Sequence, residues 1–241
     1  MRAKPIADQG AIAVMAKVPR PGHVKTRFCP PLSPSEAAEL AGCLLGDVLE
    51  ATAEMAAELR LSAFVCVEPW SARDDLAQRL AGLGAETAAR FTLLGQRGAD
   101  LGARMGDAFA QVAERGHAPL LLRGSDSPGL DTGEVRAALE GLKEVELVLR
   151  PDQDGGYSLV GSRQAPPEDL FHHAMSHPNV LRQTLSRARA RGLRVRRLPA
   201  GFDLDQLADL RHLAELRARG GSSRCRRTLG FFDARGPWEP S

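Results

Sequence analysis

Short apolar runs alternate with amphipathic stretches along most of this 241-residue chain, and this alternation limits the possible folds more than any other feature. Residues 11–16 form the first strand-like run, and Ser33 to Glu36 open a long helical pattern with a predicted capping box. Further strand-like runs lie at 61–67, 91–94, 119–122, 145–149, 157–160 and 193–198, and helical patterns at 72–80, 100–114, 131–142, 179–191 and 207–217. This order predicts an α/β fold, with a mostly parallel sheet covered by helices on both faces.

The domain organisation follows from the same pass along the chain. No internal repeat and no long linker divides the sequence, so we expect one α/β domain over residues 1–220. Residues 221–241 contain Gly, Ser and Arg and are expected to form an irregular tail. A chain of this length buries enough surface to fold without a disulfide or a structural metal.

Charge and aromatic content argue against nucleic acid as a partner. The 32 basic and 30 acidic residues give a formal net charge of +2, whereas a nucleic-acid coat would be strongly basic. Aromatic residues make up only 5% of the chain, which leaves few platforms for base stacking.

The cysteines and the apolar runs predict a soluble, cytoplasmic protein. The four cysteines are far apart and form no CxxC pair, which excludes a zinc knuckle and favours a reducing compartment. The apolar run at 11–16 is too short for a signal peptide, and no run approaches the ~18 apolar residues of a membrane span.

A basic loop follows the first predicted strand. Its positive charges are Lys17, Arg20, Lys25 and Arg27, with no carboxylate among them. Gly22 allows the backbone to approach a ligand closely. Because ligands of open α/β sheets bind at the carboxyl ends of the strands, this loop favours a phosphorylated ligand. The alternative is a solvated basic turn.

Acidic residues follow two other predicted strands. Asp126 comes after the run at 119–122, where it either caps a turn or binds a divalent ion that bridges substrate phosphates. Asp203 and Asp205 follow the run at 193–198 and would point the same way in an extended segment. One of the two could instead cap the helix that starts near Gln206.

Two further segments are candidate functional sites. Asp154, Gly155 and Gly156 join two predicted strands, where the glycines permit close contact with a ligand and Asp154 could orient or deprotonate a hydroxyl. A tight turn is the alternative for this loop. Arg104 could reach a nucleotide from the helix that begins near Asp100, or lie on that helix's surface.

Five motifs in order carry a resemblance to a known group. They are 16–27 (AKVPRPGHVKTR), 100–105 (DLGARM), 124–130 (GSDSPGL), 154–161 (DGGYSLVG) and Asp203-x-Asp205. Together they resemble small bacterial transferases of glycosyltransferase-A type, such as arsenosugar-biosynthesis and radical-SAM-associated glycosyltransferases. The resemblance spans about residues 11–217. The group is similar in turn to molybdenum-cofactor nucleotidyltransferases and to 2-phospholactate guanylyltransferase.

The resemblance implies a single-domain, Rossmann-like nucleotide-diphospho-sugar transferase fold with assigned site residues. Nucleotide and phosphate binding would involve Lys17, Gly22, Lys25, Thr26, Arg27, Arg104 and Ser125. Asp126, Asp203 and Asp205 would bind Mg²⁺ or Mn²⁺, and Asp154, Gly155, Gly156 and Tyr157 would contact the sugar or the acceptor. Asp154 is the candidate that activates the acceptor hydroxyl, while Lys25 stabilises charge on the departing diphosphate.

The sequence therefore predicts a metal-dependent transferase that moves a sugar from a nucleotide sugar to a small-molecule acceptor. One alternative is a nucleotidyltransferase, which joins an NTP to a phosphorylated acceptor and releases pyrophosphate. Another is a nucleotide-binding module without catalysis. The transferase hypothesis requires Lys25 and Asp126 to share one cleft.

Overall fold

One seven-stranded sheet organises the molecule, for which the computed structural model describes residues 9–173, 175 and 178–235. The strands are β1 (Ala11–Lys17), β2 (Ser62–Glu68), β3 (Phe91–Gly95), β4 (Leu120–Gly124), β5 (Leu147–Pro151), β6 (Tyr157–Ser162) and β7 (Val195–Arg197). Their order in the sheet is β3-β2-β1-β4-β6-β5-β7. Only β6 runs antiparallel to its neighbours among the described strands.

Helices cover both faces of this sheet. They are α1 (Pro34–Leu59), α2 (Arg73–Gly82), α3 (Ala85–Ala89), α4 (Leu101–Ala113), α5 (Thr132–Glu144), α6 (Val180–Ala190), α7 (Leu210–Ala218) and α8 (Arg226–Asp233). Ile12 of β1 packs with side chains of α1 and α5, whereas Ala13, its neighbour, packs with side chains of α4 on the opposite face. The predicted single α/β domain with a mostly parallel sheet is confirmed. A strand that is buried on both faces consists of consecutive apolar residues, which explains the short apolar runs in the sequence.

The predicted start of α1 is also confirmed. The Ser33 side chain accepts a hydrogen bond from the Glu36 N–H, and the Glu36 carboxylate accepts one from the Ser33 N–H. Among the described residues, no helix combines the length and the apolar character needed to cross a membrane.

The region expected to be an irregular tail is ordered over much of its length. Residues Gly221–Cys225 form a 3-10 turn and α8 follows it, packed on α1. Phe231 and Phe232 are buried in a cluster with Phe28 and Leu40, so apolar burial overrides the Gly, Ser and Arg content that suggested irregular backbone. Residues 236–241 of the expected tail lie outside the described residues.

A buried carboxylate attaches α8 to α1. Asp47, in the middle of α1, accepts hydrogen bonds from the backbone N–H of Arg227 (3.0 Å) and of Thr228 (2.8 Å). It also accepts one from the Thr228 hydroxyl at 2.8 Å. A helix leaves its first N–H groups without partners and carries a positive dipole end, so a carboxylate at this position satisfies both.

We predict that Asp47→Ala lowers the free energy of unfolding by about 3 kcal/mol, because three donors, two of them buried, lose a charged acceptor. Urea denaturation followed by circular dichroism measures this change. Glu54→Ala, on an exposed position of the same helix, is the control and should leave the midpoint nearly unchanged. Equal midpoints for the two variants would contradict the capping role of Asp47.

Candidate functional site

Two adjoining lobes open at the sheet edge where β1, β4 and β5 end and β6 begins. The smaller lobe has a volume of about 250 Å³ and is lined mainly by the loop after β1. The larger lobe has a volume of about 510 Å³ and extends over the first residues of α4 and β6. Arg27, Asp126 and Asp205 line both lobes and form the junction between them. We call the two lobes together the cleft.

Lys25 forms the centre of this junction. Its ammonium lies 3.1 Å from Asp126 Oδ1 and 2.8 Å from Asp205 Oδ1, and its side chain is only 5% exposed. The three residues come from the loops after β1, β4 and β7. The parallel arrangement therefore brings together groups that are up to 180 positions apart in the chain.

The charges at the junction shift each other's protonation. Burial tends to lower the pKa of Lys25, but the carboxylates of Asp126 and Asp205 reverse this effect and raise the pKa above 10.5. Burial likewise tends to raise the pKa of Asp205, and the neighbouring Lys25 and Arg27 reverse it, so that the pKa falls below 3.8. The ammonium and the Asp205 carboxylate are therefore both charged at neutral pH.

Two buried apolar side chains fix the positions of the basic loop and of the Asp203–Asp205 segment. Phe28, which follows the basic loop, and Leu204, which lies between Asp203 and Asp205, are fully buried in the same cluster against α1, α7 and α8. The Leu204 N–H also donates to the Asp126 carbonyl at 3.0 Å. Helices α7 and α8 thus support the loops that line the cleft.

Lys17 and Arg27 of the basic loop also line the smaller lobe, whereas Arg20 does not. The Lys17 ammonium donates to the His23 carbonyl at 3.0 Å, which folds the loop back on itself. The Arg27 guanidinium lies 3.8 Å from Asp205 Oδ2, and its side chain is 70% exposed. It therefore remains accessible to a bound anion.

A second carboxyl pair consists of Asp203, which lines the larger lobe, and the buried Asp152. Asp152 and Asp203 adjoin each other, and Asp203 also accepts a hydrogen bond from the Ser127 hydroxyl. Burial raises the pKa of Asp152 to about 6, and burial together with Asp152 raises the pKa of Asp203 well above 3.8. Ser158 donates to Asp152 Oδ1 at 2.9 Å.

Two buried arginines support this pair. Arg150 donates to Glu134 and Ser158, each at 2.8 Å, and its guanidinium fills the space where a side chain on Gly201 would be. Arg123 donates to the Thr52 hydroxyl and to the Ser127 carbonyl. Burial and the nearby Arg150 lower the pKa of Arg123 to about 9.

The family described as "Uncharacterized protein conserved in bacteria (DUF2064)" matches residues 51–177, which is more than half of the chain. The chain belongs to the DUF2064 family. The sequence matches none of the curated proteins with which it was compared.

Solved structures confirm the fold of this DUF2064 protein. A Desulfovibrio desulfuricans G20 protein, provisionally assigned as a nucleotide-diphospho-sugar transferase, is 28% identical and has a TM-score of 0.75. The match covers 92% of this chain and 98% of that one. A cytidylyltransferase from Leptospira borgpetersenii serovar Hardjo-bovis (strain JB197) is 12% identical, with a TM-score of 0.57 and 95% of both chains covered. The second likeness concerns the fold alone.

The structure brings most of the predicted site residues of the DUF2064 protein to the cleft. Those lining either lobe are Lys17, Lys25, Thr26, Arg27, Ser125, Asp126, Asp154, Gly156, Tyr157, Asp203 and Asp205. Arg104 is not among them, because its guanidinium is held by the Gly98 carbonyl (3.2 Å) and lies 3.9 Å from Glu68. Gly22 turns the basic loop at a φ of 76° without lining a lobe.

The loop after β5 is a tight turn that also borders the larger lobe. The Asp154 carboxylate accepts a hydrogen bond from the Gly156 N–H at 2.8 Å and lines the lobe. Gly155 has a φ of 89°, and a side chain there would collide with the Pro178 carbonyl. The turn and ligand-binding interpretations of this loop are therefore compatible.

Neither Asp203 nor Asp205 caps the helix that follows them. Asp209 supplies the capping carboxylate instead, accepting from the N–H groups of Asp205 and Gln206, each at 2.9 Å. Asp203 and Asp205 both line the larger lobe, yet they have different partners: Ser127 and Lys25 respectively.

Asp152 also belongs to the candidate site, whereas the sequence pattern points to Asp154 in the same turn. The available signal was the position of Asp152 directly after β5, next to Pro151. Asp152 continues the extended backbone of β5 and forms a β-bridge with Gly201. This bridge places Asp152 beside the segment that contains Asp203.

We predict that Lys25→Ala lowers the free energy of unfolding by about 2 kcal/mol, because Asp126 and Asp205 lose the cation between them. Lys143→Ala is the control, since its ammonium pairs only with Glu140 among the described residues and its side chain is 69% exposed. Denaturant titration of both variants without added metal tests this prediction. A stability loss no larger than that of the control would contradict the proposed role of Lys25 at the junction.

We also predict a pH effect from Asp152. A carboxyl whose pKa is raised on folding favours the folded state when it is protonated. The free energy of unfolding should therefore fall as the pH rises from 3.8 to about 6 and level off above that, by about 3 kcal/mol for the shift given.

Asp152→Asn should flatten this fall, because the amide stays neutral and still accepts from Ser158. Urea titrations between acidic and neutral pH, without metal, measure the slope for both proteins. A variant whose stability falls as steeply as that of the wild type would assign the pH effect to another group. Asp74→Asn, at an exposed carboxylate of α2, serves as the control and should retain the wild-type slope.

Proposed function

We propose that this protein is a metal-dependent transferase that moves a sugar from a nucleotide sugar to a small-molecule acceptor. The observation that carries the proposal is the position of Lys25, buried between Asp126 and Asp205 at the border of the two lobes. Buried ammonium and paired carboxylates at the carboxyl edge of an α/β sheet suit a diphosphate with its counter-ion. The similarity to the Desulfovibrio protein supports this interpretation.

The smaller lobe would hold the diphosphate of the donor. Lys17, Lys25 and Arg27 provide its cations, and the partly exposed Arg27 has donors available for phosphate oxygens. Thr26 and Ser125 add hydroxyl groups to the lining. Fixed positive charge of this kind stabilises the charge that develops on a departing diphosphate.

Asp126 and Asp205 fit a divalent ion, Mg²⁺ or Mn²⁺. Both carboxylates are partly exposed, at 46% and 38%, and both face the cleft. Within the described residues, no group of three or more His, Cys, Asp or Glu side chains is arranged to hold a metal. Ligands from substrate phosphates would complete the coordination, as is usual for Mg²⁺, and the ion would neutralise diphosphate charge. Asp203 is less suited, since it bonds Ser127 and adjoins Asp152.

The larger lobe would hold the acceptor beside the donor sugar. The acceptor hydroxyl oxygen forms a bond to the anomeric carbon while the bond from that carbon to the diphosphate oxygen breaks. The electron pair of that bond leaves with the nucleoside diphosphate, and the hydroxyl proton passes to Asp154. Asp154 is the candidate base because its carboxylate is exposed and lines this lobe.

Nucleotidyl transfer is the rival reaction and gives a different product. A nucleotidyltransferase would release pyrophosphate, whereas the proposed reaction releases a nucleoside diphosphate. The narrower resemblance to arsenosugar-biosynthesis or radical-SAM-associated glycosyltransferases stays a prediction from the sequence motifs.

We predict that a subset of nucleotide sugars raises the melting temperature of the wild-type protein only when Mg²⁺ or Mn²⁺ is present, because ligands that bind the folded state stabilise it. Asp126→Asn should lose this metal-dependent shift when each protein is compared with its own melting temperature without ligand. Asp74→Asn serves as the control, since this exposed carboxylate lies on α2, away from the cleft lining.

Product analysis with the donor selected by this screen then distinguishes the reactions. Nucleoside diphosphate release supports sugar transfer, and pyrophosphate release from an NTP establishes nucleotidyl transfer instead. Binding without turnover over a broad set of acceptors would indicate a nucleotide-binding module. An Asp126→Asn protein with an intact metal-dependent shift would remove Asp126 from the site.

A further inference from the structure

We infer that the larger lobe takes an uncharged acceptor with an apolar body, and that it excludes phosphorylated or carboxylated acceptors. This inference rests on the proposed function and narrows its acceptor class. Three properties of the lobe support it: the composition of its walls, the orientation of its tyrosine and the sign of its charges.

One part of the lining of the larger lobe is apolar. Met15, Met105 and Met175 line it, which is three of the five methionines in the sequence. Leu101 and Val180 add aliphatic surface. Methionine side chains are flexible and polarizable, so they adapt to apolar ligands of irregular shape. Such walls favour a ligand whose body is apolar.

Tyr157 lines the lobe while its hydroxyl is already engaged. The hydroxyl lies 3.3 Å from the Thr184 hydroxyl, which also lies 2.9 Å from His173 Nε2. Burial raises the pKa of Tyr157, so the phenol stays neutral. The aromatic ring is therefore the part of Tyr157 that is available for packing against a ligand.

Acidic residues outnumber basic residues in the described lining of the larger lobe, and two of the acidic residues, Asp126 and Asp205, already pair with Lys25. Its lining contains four aspartates, Asp126, Asp154, Asp203 and Asp205, and among the described residues only two arginines, Arg27 and Arg123. Arg123 is 1% exposed and donates to Thr52 and Ser127. Arg27 borders the smaller lobe as well, where the donor diphosphate would occupy it.

An anionic acceptor would therefore meet the exposed Asp154 beside an already anionic donor. Like charges placed together without a counter-ion cost binding free energy, and such repulsion is a common basis of specificity. A hydroxyl, in contrast, can donate to Asp154. The lobe thus selects an acceptor that carries a hydroxyl and no negative charge.

A groove at the opposite end of the sheet has the reverse charge. It has a volume of about 900 Å³ and combines leucines (Leu59, Leu61, Leu139 and Leu142) with Arg60, Lys143 and Arg163. Apolar surface alone would therefore not distinguish the two cavities. The charge of a bound probe distinguishes the two cavities, because this groove favours an anion.

Two fluorescent probes with the same aromatic body test the inference: uncharged N-phenyl-naphthylamine and its anionic analogue, anilinonaphthalene sulfonate. Leu101→Gln removes an apolar side chain that is 41% exposed and lines the larger lobe. Trp70→Gln is the matched control, since Trp70 is 44% exposed but lies outside that lining. Fluorescence titrations of wild type and both variants isolate the Leu101-dependent binding.

We expect Leu101→Gln to weaken binding of the uncharged probe about tenfold, which is ~1.4 kcal/mol. Trp70→Gln should leave this affinity unchanged. The Leu101-dependent affinity for the sulfonate should be at least about tenfold weaker than for the uncharged probe.

Leu101-dependent binding of the sulfonate at equal or higher affinity would overturn the inference, and so would binding of the uncharged probe that does not depend on Leu101. The melting-temperature screen of the wild type with nucleotide sugars tests the proposed function independently of the probes. Absence of any nucleotide-dependent stabilisation, with the probe preference intact, would reject the proposed function but not the lobe's selectivity. Nucleotide binding with a reversed probe preference would reject only the present inference.

Discussion

The contact of the Lys25 ammonium with Asp126 and Asp205 is the interaction on which the rest of the cleft depends. It joins the loops that follow β1, β4 and β7 through an ammonium whose side chain is only 5% exposed. Without the cation, two carboxylates would adjoin each other at the border of the lobes. Without the carboxylates, a buried ammonium would lack partners, which is among the most costly arrangements in a folded protein.

The fold provides the rigidity that this contact needs. The basic loop and the Asp203–Asp205 segment are anchored by Phe28 and Leu204 in one apolar cluster, and α8 closes that cluster from outside. Asp47 in turn fixes the start of α8. Helix α8, which follows the last strand of the sheet in the chain, therefore supports the positions of the charged side chains. A preorganised site requires such support from the residues packed around it.

Much of this organisation could be predicted from the sequence. The alternation of strands and helices predicts the sheet, and parallel strands place their following loops at one edge, which brings Lys25 near Asp126. The reversal of β6 was not predicted, although the connection from Pro151 to Tyr157 is too short for a parallel crossover. Helix α8 and the carboxyl of Asp152 depend on packing between distant segments, which local composition does not report.

The charges of the cleft also bear on how Lys25 would bind the phosphorylated ligand of the proposed function. An ammonium has three N–H donors, and Asp126 and Asp205 accept from two of them at 3.1 and 2.8 Å. One donor remains for a phosphate oxygen. The two carboxylates hold the ammonium in place and keep it protonated before any ligand binds. In the proposed reaction, binding of a diphosphate would therefore require no new ionisation of Lys25, and the cation would be positioned in advance for the charge on the leaving group.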